Sequence, residues 1–248
     1  MSLDKKFYDF INICQQSNDV RDVWMGLVDF LFCRGMKMVS YHHYDPQLAG
    51  DATMIYAEGF PKDWVNTYIA QKLYRIDPIP GLAATRSSPF RWSEIRKLTK
   101  LLEDEDKYMK DLEAAELGDG LAMRVFGPSQ RTGYVGIGFG SDVRSTPSAL
   151  DILEFQCAAQ IAHLRYCEIT TEEREERPTL SAREREILQW IARGKSNSVI
   201  AEILDLSPHT VDTMLRRIFE KLEVSDRTTA AIRGLGAGLL NYERLGRD

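Results

Sequence analysis

Residues 207–222, SPHTVDTMLRRIFEKL, decide how this chain is read. Ser207 is a helix N-cap residue type and Pro208 suits the first helical position, so a helix starts here. Val211, Leu215, Ile218 and Leu222 recur at helical spacing as one apolar stripe, while His209, Asp212, Thr213, Arg216, Arg217 and Glu220 occupy the rest of the circumference. One side packs and the other is free to touch a partner. Just upstream, residues 196–204 (SNSVIAEIL) read as a short helix with Ile200, Ile203 and Leu204 inward. Only Asp205, Leu206 and the capping Ser207 separate the two, which makes a helix-turn-helix. Ser181 and Glu184 fit a capping box that starts a third helix through Ile187, Leu188 and Ile191, ended by Gly194. A fourth helix is expected after Ser225, carrying Ala230, Ala231, Ile232, Leu235 and Leu239.

Leu180, Arg183, Glu186, Gly194, Lys195, Asn197, Ala201, Thr210, Arg217, Lys221 and Arg227, with the helix positions above, form a pattern that resembles the LuxR-type four-helix DNA-binding domain. The resemblance implies that the helix at 207–222 enters a major groove. It makes His209, Asp212 and Arg216 the base-facing side chains, with Thr213 beside them. Arg216 would grip guanine O6 and N7, and Asp212 would accept from a cytosine amino group. Asp212 departs from the basic or neutral residue usual there and repels phosphate. Arg217, Lys195, Lys221 and Arg227 are then expected on phosphates, which position without specifying sequence.

The bulk properties fit two soluble domains: 248 residues, 44% hydrophobic, 28% charged. The formal net charge of −5 argues against indiscriminate nucleic-acid binding. Residues 178–248 carry 11 Lys plus Arg against 10 Asp plus Glu, whereas the first 177 carry 21 against 27, so the acidity lies upstream. Cys14, Cys33, Cys157 and Cys167 have no metal-ligand spacing. The absence of a signal-like N-terminus and of a long apolar run points to a cytoplasmic protein without a membrane partner.

Residues 4–34 read as helices with stripes at Phe7, Phe10, Ile11, Cys14 and at Val23, Leu27, Phe30, Leu31. Residues 36–44 and 52–57 read as a strand hairpin across the polar turn 45–51. In residues 59–92, Trp64 and Tyr68 stand four apart, so both rings fall on one helix face. Asp77 precedes Pro78, which pulls it out of helical geometry. Period-2 alternation puts either Ser40, His42 and Tyr44, or Val39, Tyr41 and His43, on the inward face of the first strand. A metal site at His42 and His43 is disfavoured because no third ligand is positioned, and no metal site or cofactor is expected. Gly136, Gly138 and Gly140 leave one strand face without side chains, with room for a ligand or a close helix.

Trp64, Tyr68, Asp77, Pro78, Trp92 and Gly120 match, in order and spacing, the signature of the LuxR-type autoinducer-binding domain, so the resemblance covers nearly the whole chain. It implies an N-acyl-homoserine lactone ligand. Trp64 would donate to the lactone carbonyl, Asp77 would accept the ligand amide N–H, and Tyr68 and Trp92 would wall the lactone. Phe60 stands where relatives usually have a tyrosine that holds the acyl carbonyl, Gly136 falls near a second hydroxyl position, and Arg124 replaces a usual proline. Tyr134 or a water is the candidate substitute. With Ser40, His42 and Tyr44 inward, the tail region suits an oxidised, hydroxylated or aryl acyl group.

Leu150, Leu153, Cys157, Ile161 and Leu164 form a narrow helical seam within residues 147–167, read either as core or, on the resemblance, as a dimer interface. TTEEREERP, residues 170–178, reads as a linker. The expected organisation is α+β: an α/β/α sandwich sensor with a central antiparallel sheet over residues 1–168, a linker at 169–178 and an all-α helix-turn-helix domain over 179–248. The expected function is a lactone-controlled transcriptional regulator. Its expected partners are a two-fold symmetric DNA site, a second copy of itself and RNA polymerase. The alternative is a ligand-independent or protein-regulated factor with the same DNA-binding end. Four scattered histidines and the lack of a nucleophile motif argue against an enzyme.

Overall fold

A computed structural model describes residues 5–46, 54–140, 147–172 and 178–240. They form two compact units, one built around a sheet and one of four helices. In the first unit, helices α1 (Lys5–Gln16) and α2 (Val20–Cys33) precede the hairpin strands β1 (Met38–Tyr44) and β2 (Met54–Glu58). Then come α3 (Lys62–Ala70), α4 (Pro78–Ala83), β3 (Phe90–Arg91), α5 (Ile95–Leu98), α6 (Glu103–Ala114), β4 (Asp119–Phe126), β5 (Thr132–Gly140) and α7 (Ala149–Glu172). The strands are antiparallel in the order β2-β1-β5-β4-β3. The hairpin pairs Val39 with Glu58 and His43 with Met54; most of its expected turn lies outside the described residues.

Both faces of the sheet are covered, giving the α/β/α sandwich expected from the sequence. On one face Val39, Tyr41, Leu121, Val135 and Ile137 pack with Phe7, Phe10, Leu27, Leu31, Phe155 and Ala159 of α1, α2 and α7. On the other, Met38, Ala122 and Tyr134 pack with Tyr68, Ile79, Ile95, Tyr108 and Leu112 of α3 to α6. Because β1 is interior on both faces, each of its two alternating sets meets a core, and the choice of an inward face becomes a choice between two different cores.

Side chains of Met38, Ser40, Trp92 and Tyr134 crowd the glycine face of β5. A Cβ on Gly138 would lie 2.6 Å from Met38 Cε, and one on Gly120 of β4 would lie 2.7 Å from the Trp92 ring and from the Ile137 carbonyl oxygen. The two glycines therefore seat the Trp92 indole flat on the sheet. Gly120→Ala would overpack backbone as well as side chain, and a loss of about 1–3 kcal/mol is expected in urea unfolding of the full chain. A loss under about 0.5 kcal/mol, the level of an ordinary surface change, would mean that Trp92 is free to shift.

α7 is longer than residues 147–167. Ile169 is buried, and the Thr170 and Thr171 hydroxyls donate back to the carbonyls of Tyr166 (2.8 Å) and Cys167 (2.6 Å), so the helix continues to Glu172 into the expected linker. Residues 173–177 of that linker lie outside the described set. The seam on this helix lies mostly outside the core: Leu150, Leu153, Cys157 and Leu164 are exposed and Ile161 is partly buried against the core, while Phe155, Ala158, Ala162 and Tyr166 bury the opposite side.

The second unit comprises α8 (Ala182–Ala192), α9 (Asn197–Leu204), α10 (Pro208–Leu222) and α11 (Arg227–Gly236). Ser181, Ser196, Ser207 and Asp226 each cap a helix through a side-chain oxygen, and Ser181 with Glu184 closes the capping box. Asp205 takes the left-handed conformation (φ 51°) that turns α9 into α10. Ile187, Leu188, Ile200, Val211 and Ile218 form the core. Ile203, expected inward, is 43% exposed, and Ala201 is buried in its place. Ile200, Ala201 and Leu204 span an arc of about 100° on an α-helix that leaves Ile203 outside it.

Candidate functional site

In the first unit a cavity of about 50 Å³ opens between the sheet and α3, α4 and α6. Ser40, His42, Phe60, Trp64, Tyr68, Asp77 and Trp92 all line it, so the fold brings these expected ligand residues together. Tyr44 shares their strand face but lines a wider adjoining cleft of about 780 Å³, which meets the first cavity at Asp77 and Tyr134. Gly136 lies beneath the cavity: a Cβ there would sit 2.6 Å from both Ser40 Oγ and the Tyr134 hydroxyl. Its missing side chain is what lets those two hydroxyls gather at this end.

Asp77 is the centre of the polar arrangement. One carboxylate oxygen caps α4 by accepting from the Ile79 N–H at 2.9 Å. The other accepts from the Tyr68 hydroxyl at 2.9 Å and the Tyr108 hydroxyl at 3.2 Å. Burial pushes the carboxyl up from 3.8 to about 6, against these stabilising hydrogen bonds. By exposure Asp77 is only half-buried, because part of its surface faces the two cavities; protein still packs densely around it, and desolvation governs. Burial, and next the Asp77 charge, hold Tyr68, Tyr108 and Tyr134 well above the usual phenol range, so all three stay donors.

His42 is buried, and its burial lowers it to about 4, so the ring is neutral near pH 7. Its Nδ1 has no hydrogen-bond partner, and its ring meets the Tyr134 ring edge-on with centroids 5.1 Å apart. The Trp92 Nε1 is likewise buried without a bond: the neighbouring Tyr134 hydroxyl does not meet it in hydrogen-bonding geometry. Two unspent polar atoms in one cavity suit a ligand with polar groups of its own. Trp64 sits half-buried at the rim with its ring 6.3 Å from that of Tyr108. Arg124 lines the wider cleft and donates to the Ala84 carbonyl at 2.9 Å. Sequence reasoning missed Tyr108. With Leu112 it makes an i, i+4 pair on α6, and spacing alone says nothing about where its hydroxyl reaches.

In the second unit, His209, Asp212, Arg216 and Arg217 are exposed on α10, and Thr213 is half-buried with its hydroxyl donating to the His209 carbonyl at 3.0 Å. Three expected contacts have intramolecular duties instead of free charge. Asp212 accepts from the Asn197 side-chain amide at 2.6 Å, which ties α10 to α9 and offsets part of its repulsion for phosphate. Lys221 pairs with the buried Glu184 at 2.7 Å, so reaching a phosphate would break that pair. The Arg227 guanidinium donates to the Lys195 carbonyl. Arg216 and Arg217 have no ion-pair partner among the described residues. Of the expected cations on α10 these two are open to DNA; the Lys195 side chain is half-exposed in the turn before α9.

Residues 19–166 match the family model described as an autoinducer binding domain, and residues 178–233 match that of bacterial regulatory proteins of the luxR family. The chain is 30% identical over 199 residues to the HTH-type quorum sensing-dependent transcriptional regulator RpaR of Rhodopseudomonas palustris, a match covering 77% of each chain. It is 22% identical over 244 residues to the transcriptional activator protein LuxR of Aliivibrio fischeri, over 97% of this chain and 96% of that one. The crystal structure of Escherichia coli SdiA superposes with a TM-score of 0.73 at 20% identity, covering 94% of this chain and 97% of SdiA.

Proposed function

This chain belongs to the luxR family of bacterial regulatory proteins and carries an autoinducer binding domain, and from there we propose that its Asp77 cavity receives an N-acyl-homoserine lactone that controls DNA binding by a homodimer. Residues 1–168, with α7 continuing to Glu172, act as sensor and dimerisation domain, 169–178 as the connection and 179–248 as the DNA reader. The protein works in the cytoplasm with RNA polymerase as its downstream partner, and it performs no catalysis. No helix among the described residues is long and apolar enough to cross a membrane.

The observation that carries this reading is the Asp77 carboxylate, half-buried at the cavity wall with Tyr68 and Tyr108 already donating to it. A carboxylate so placed is an acceptor for a ligand amide N–H, and the tyrosines hold its direction. His42 and Ser40 line the same cavity and favour an acyl tail with an oxo, hydroxyl or aryl group. Arg216 and Arg217 supply guanine and phosphate contacts on DNA. The exposed Leu150, Leu153 and Leu164, with exposed Cys157 between them, follow the 3–4 spacing of a helix–helix seam and fit a second copy of α7.

The cavity, at about 50 Å³, is far below the ~300 Å³ lower bound of ordinary small-molecule sites. The lactone therefore takes its space by displacing side chains and becomes part of the core, which makes thermal stability the direct readout. Unfolding of purified protein against lactones with alkyl, oxo, hydroxy and aryl tails is expected to rise with concentration for a polar or aryl class. No rise for any tail would favour the ligand-independent reading, which the small cavity and the lost hydroxyl at Phe60 also support.

Ligand affinity should also depend on pH. A ligand N–H needs the ionised Asp77, whose carboxyl in the empty site titrates at about 6. Affinity is then full above that pH and falls about tenfold per unit below it, until the bound-state pKa is reached. A flat profile from pH 7 to 5 would remove Asp77 as the acceptor.

A further inference from the structure

His43 on β1 and His163 and Cys167 on α7 form a cluster on the sheet face opposite the lactone cavity, and their metal-ligating atoms all lie within 4.8 Å of one another. All three are buried: His43 is 3% exposed, His163 1% and Cys167 0%. His42, the other residue of the histidine pair, points the opposite way, and the two remaining ligands come from a helix more than a hundred residues downstream.

We propose that His43, His163 and Cys167 bind a thiophilic divalent cation of the zinc type, which clamps α7 to β1. Three observations support it. First, His163 and Cys167 are i and i+4 on one helix, a spacing that presents two ligands to one point. Second, Cys167 Sγ lies 3.5 Å from His163 Nε2. Zinc bonds of about 2.3 Å to sulfur and 2.0–2.1 Å to nitrogen in a tetrahedron put these atoms at roughly 3.6 Å. Third, the Tyr41 hydroxyl lies 2.7 Å from His163 Nδ1 and 3.0 Å from His43 Nδ1. It is placed to hold the ring orientations as an outer partner of ligating imidazoles.

Binding converts the Cys167 thiol to a thiolate and releases its proton to solvent, while both imidazoles bind neutral. The ligand set of two nitrogens and one sulfur suits zinc over calcium or magnesium, which take oxygen. The clamp would act on two surfaces at once. β1 lines the Asp77 cavity with Ser40 and His42, and α7 carries the exposed leucine seam.

The test uses the full chain, stripped with a chelator, then exchanged into Zn²⁺ or Co²⁺ and passed over a desalting column. One equivalent of zinc retained per chain, with a Tm several degrees above the stripped protein, is expected. Cobalt should give tetrahedral d–d bands and a thiolate charge-transfer band. Cys167→Ser should abolish that band, His43→Gln should lower cobalt affinity at least tenfold, and Cys33→Ser, at an exposed thiol, should leave both unchanged. Circular dichroism confirms that each variant is folded, and His43→Gln keeps the test open if Cys167→Ser is not. Folded parent protein without retained zinc would overturn the proposal and leave a hydrogen-bonded network. A charge-transfer band lost in Cys33→Ser instead of Cys167→Ser would overturn it too.

Discussion

Asp77→Asn should lower lactone affinity about 100-fold while leaving the empty protein as stable as the parent or more so. The two effects separate because they come from different atoms. Asn keeps the oxygen that caps α4 through the Ile79 N–H, so the local fold survives. It replaces the second oxygen with an amide that would face the ligand N–H donor to donor. A hydrogen bond to a charged acceptor is worth about 1.5–3 kcal/mol, which accounts for a loss of about 10–150-fold. Stability moves the other way. The folded-state pKa of about 6 lies above the ordinary 3.8, so the carboxyl favours the fold most below pH 3.8, and this contribution is lost as pH rises to about 6. Above that pH the buried charge is a burden of a few kcal/mol, which Asn does not carry. Calorimetric lactone titration and a melt at pH 8 check both halves. An unchanged affinity would sink the pocket assignment, and a melt far below the parent would mean that the carboxylate organises the fold.

The second large effect is expected at the seam of α7. Leu153→Glu combined with Leu164→Glu should convert the proposed dimer to a monomer and weaken binding to a two-fold DNA site by about 100-fold or more, because the second half-site no longer binds at high effective concentration. Both side chains are exposed, 58% and 46%, so the change spares the core formed by the other side of the helix. Two glutamates facing their copies across an apolar contact would be desolvated without partners. Light scattering reads the mass, and a gel shift compares full sites with half-sites. A variant that still runs as a dimer would place the interface elsewhere.

Much of this molecule is visible without coordinates, for a local reason. Helix periods and caps are short-range properties. Ser181 and Ser207 therefore mark two helix starts that the structure repeats, and Val211, Ile218 and Leu222 mark a buried stripe. Trp64 and Tyr68 could be put on one face for the same reason. Where the reading went astray, a local rule met a choice that belongs to packing. Ile203 fits a helical apolar pattern, but the arc that faces α8 and α10 takes Ala201. α7 is apolar on opposite sides, and no periodicity says which side the sheet will claim.

Element types, their order and the capped four-helix reader followed from residue spacing, because each depends on neighbours within one or two turns. The convergence of Tyr108 on Asp77, 31 residues apart, and of Tyr41 with His163, 122 residues apart, did not. Nor did the ties of Lys221 to Glu184 and of Asp212 to Asn197, which take expected DNA contacts into the protein's own framework. Such partners are set by which faces of distant elements dock to bury the most apolar surface, and a spacing rule that repeats every 2 or about 3.6 residues carries no information on that docking.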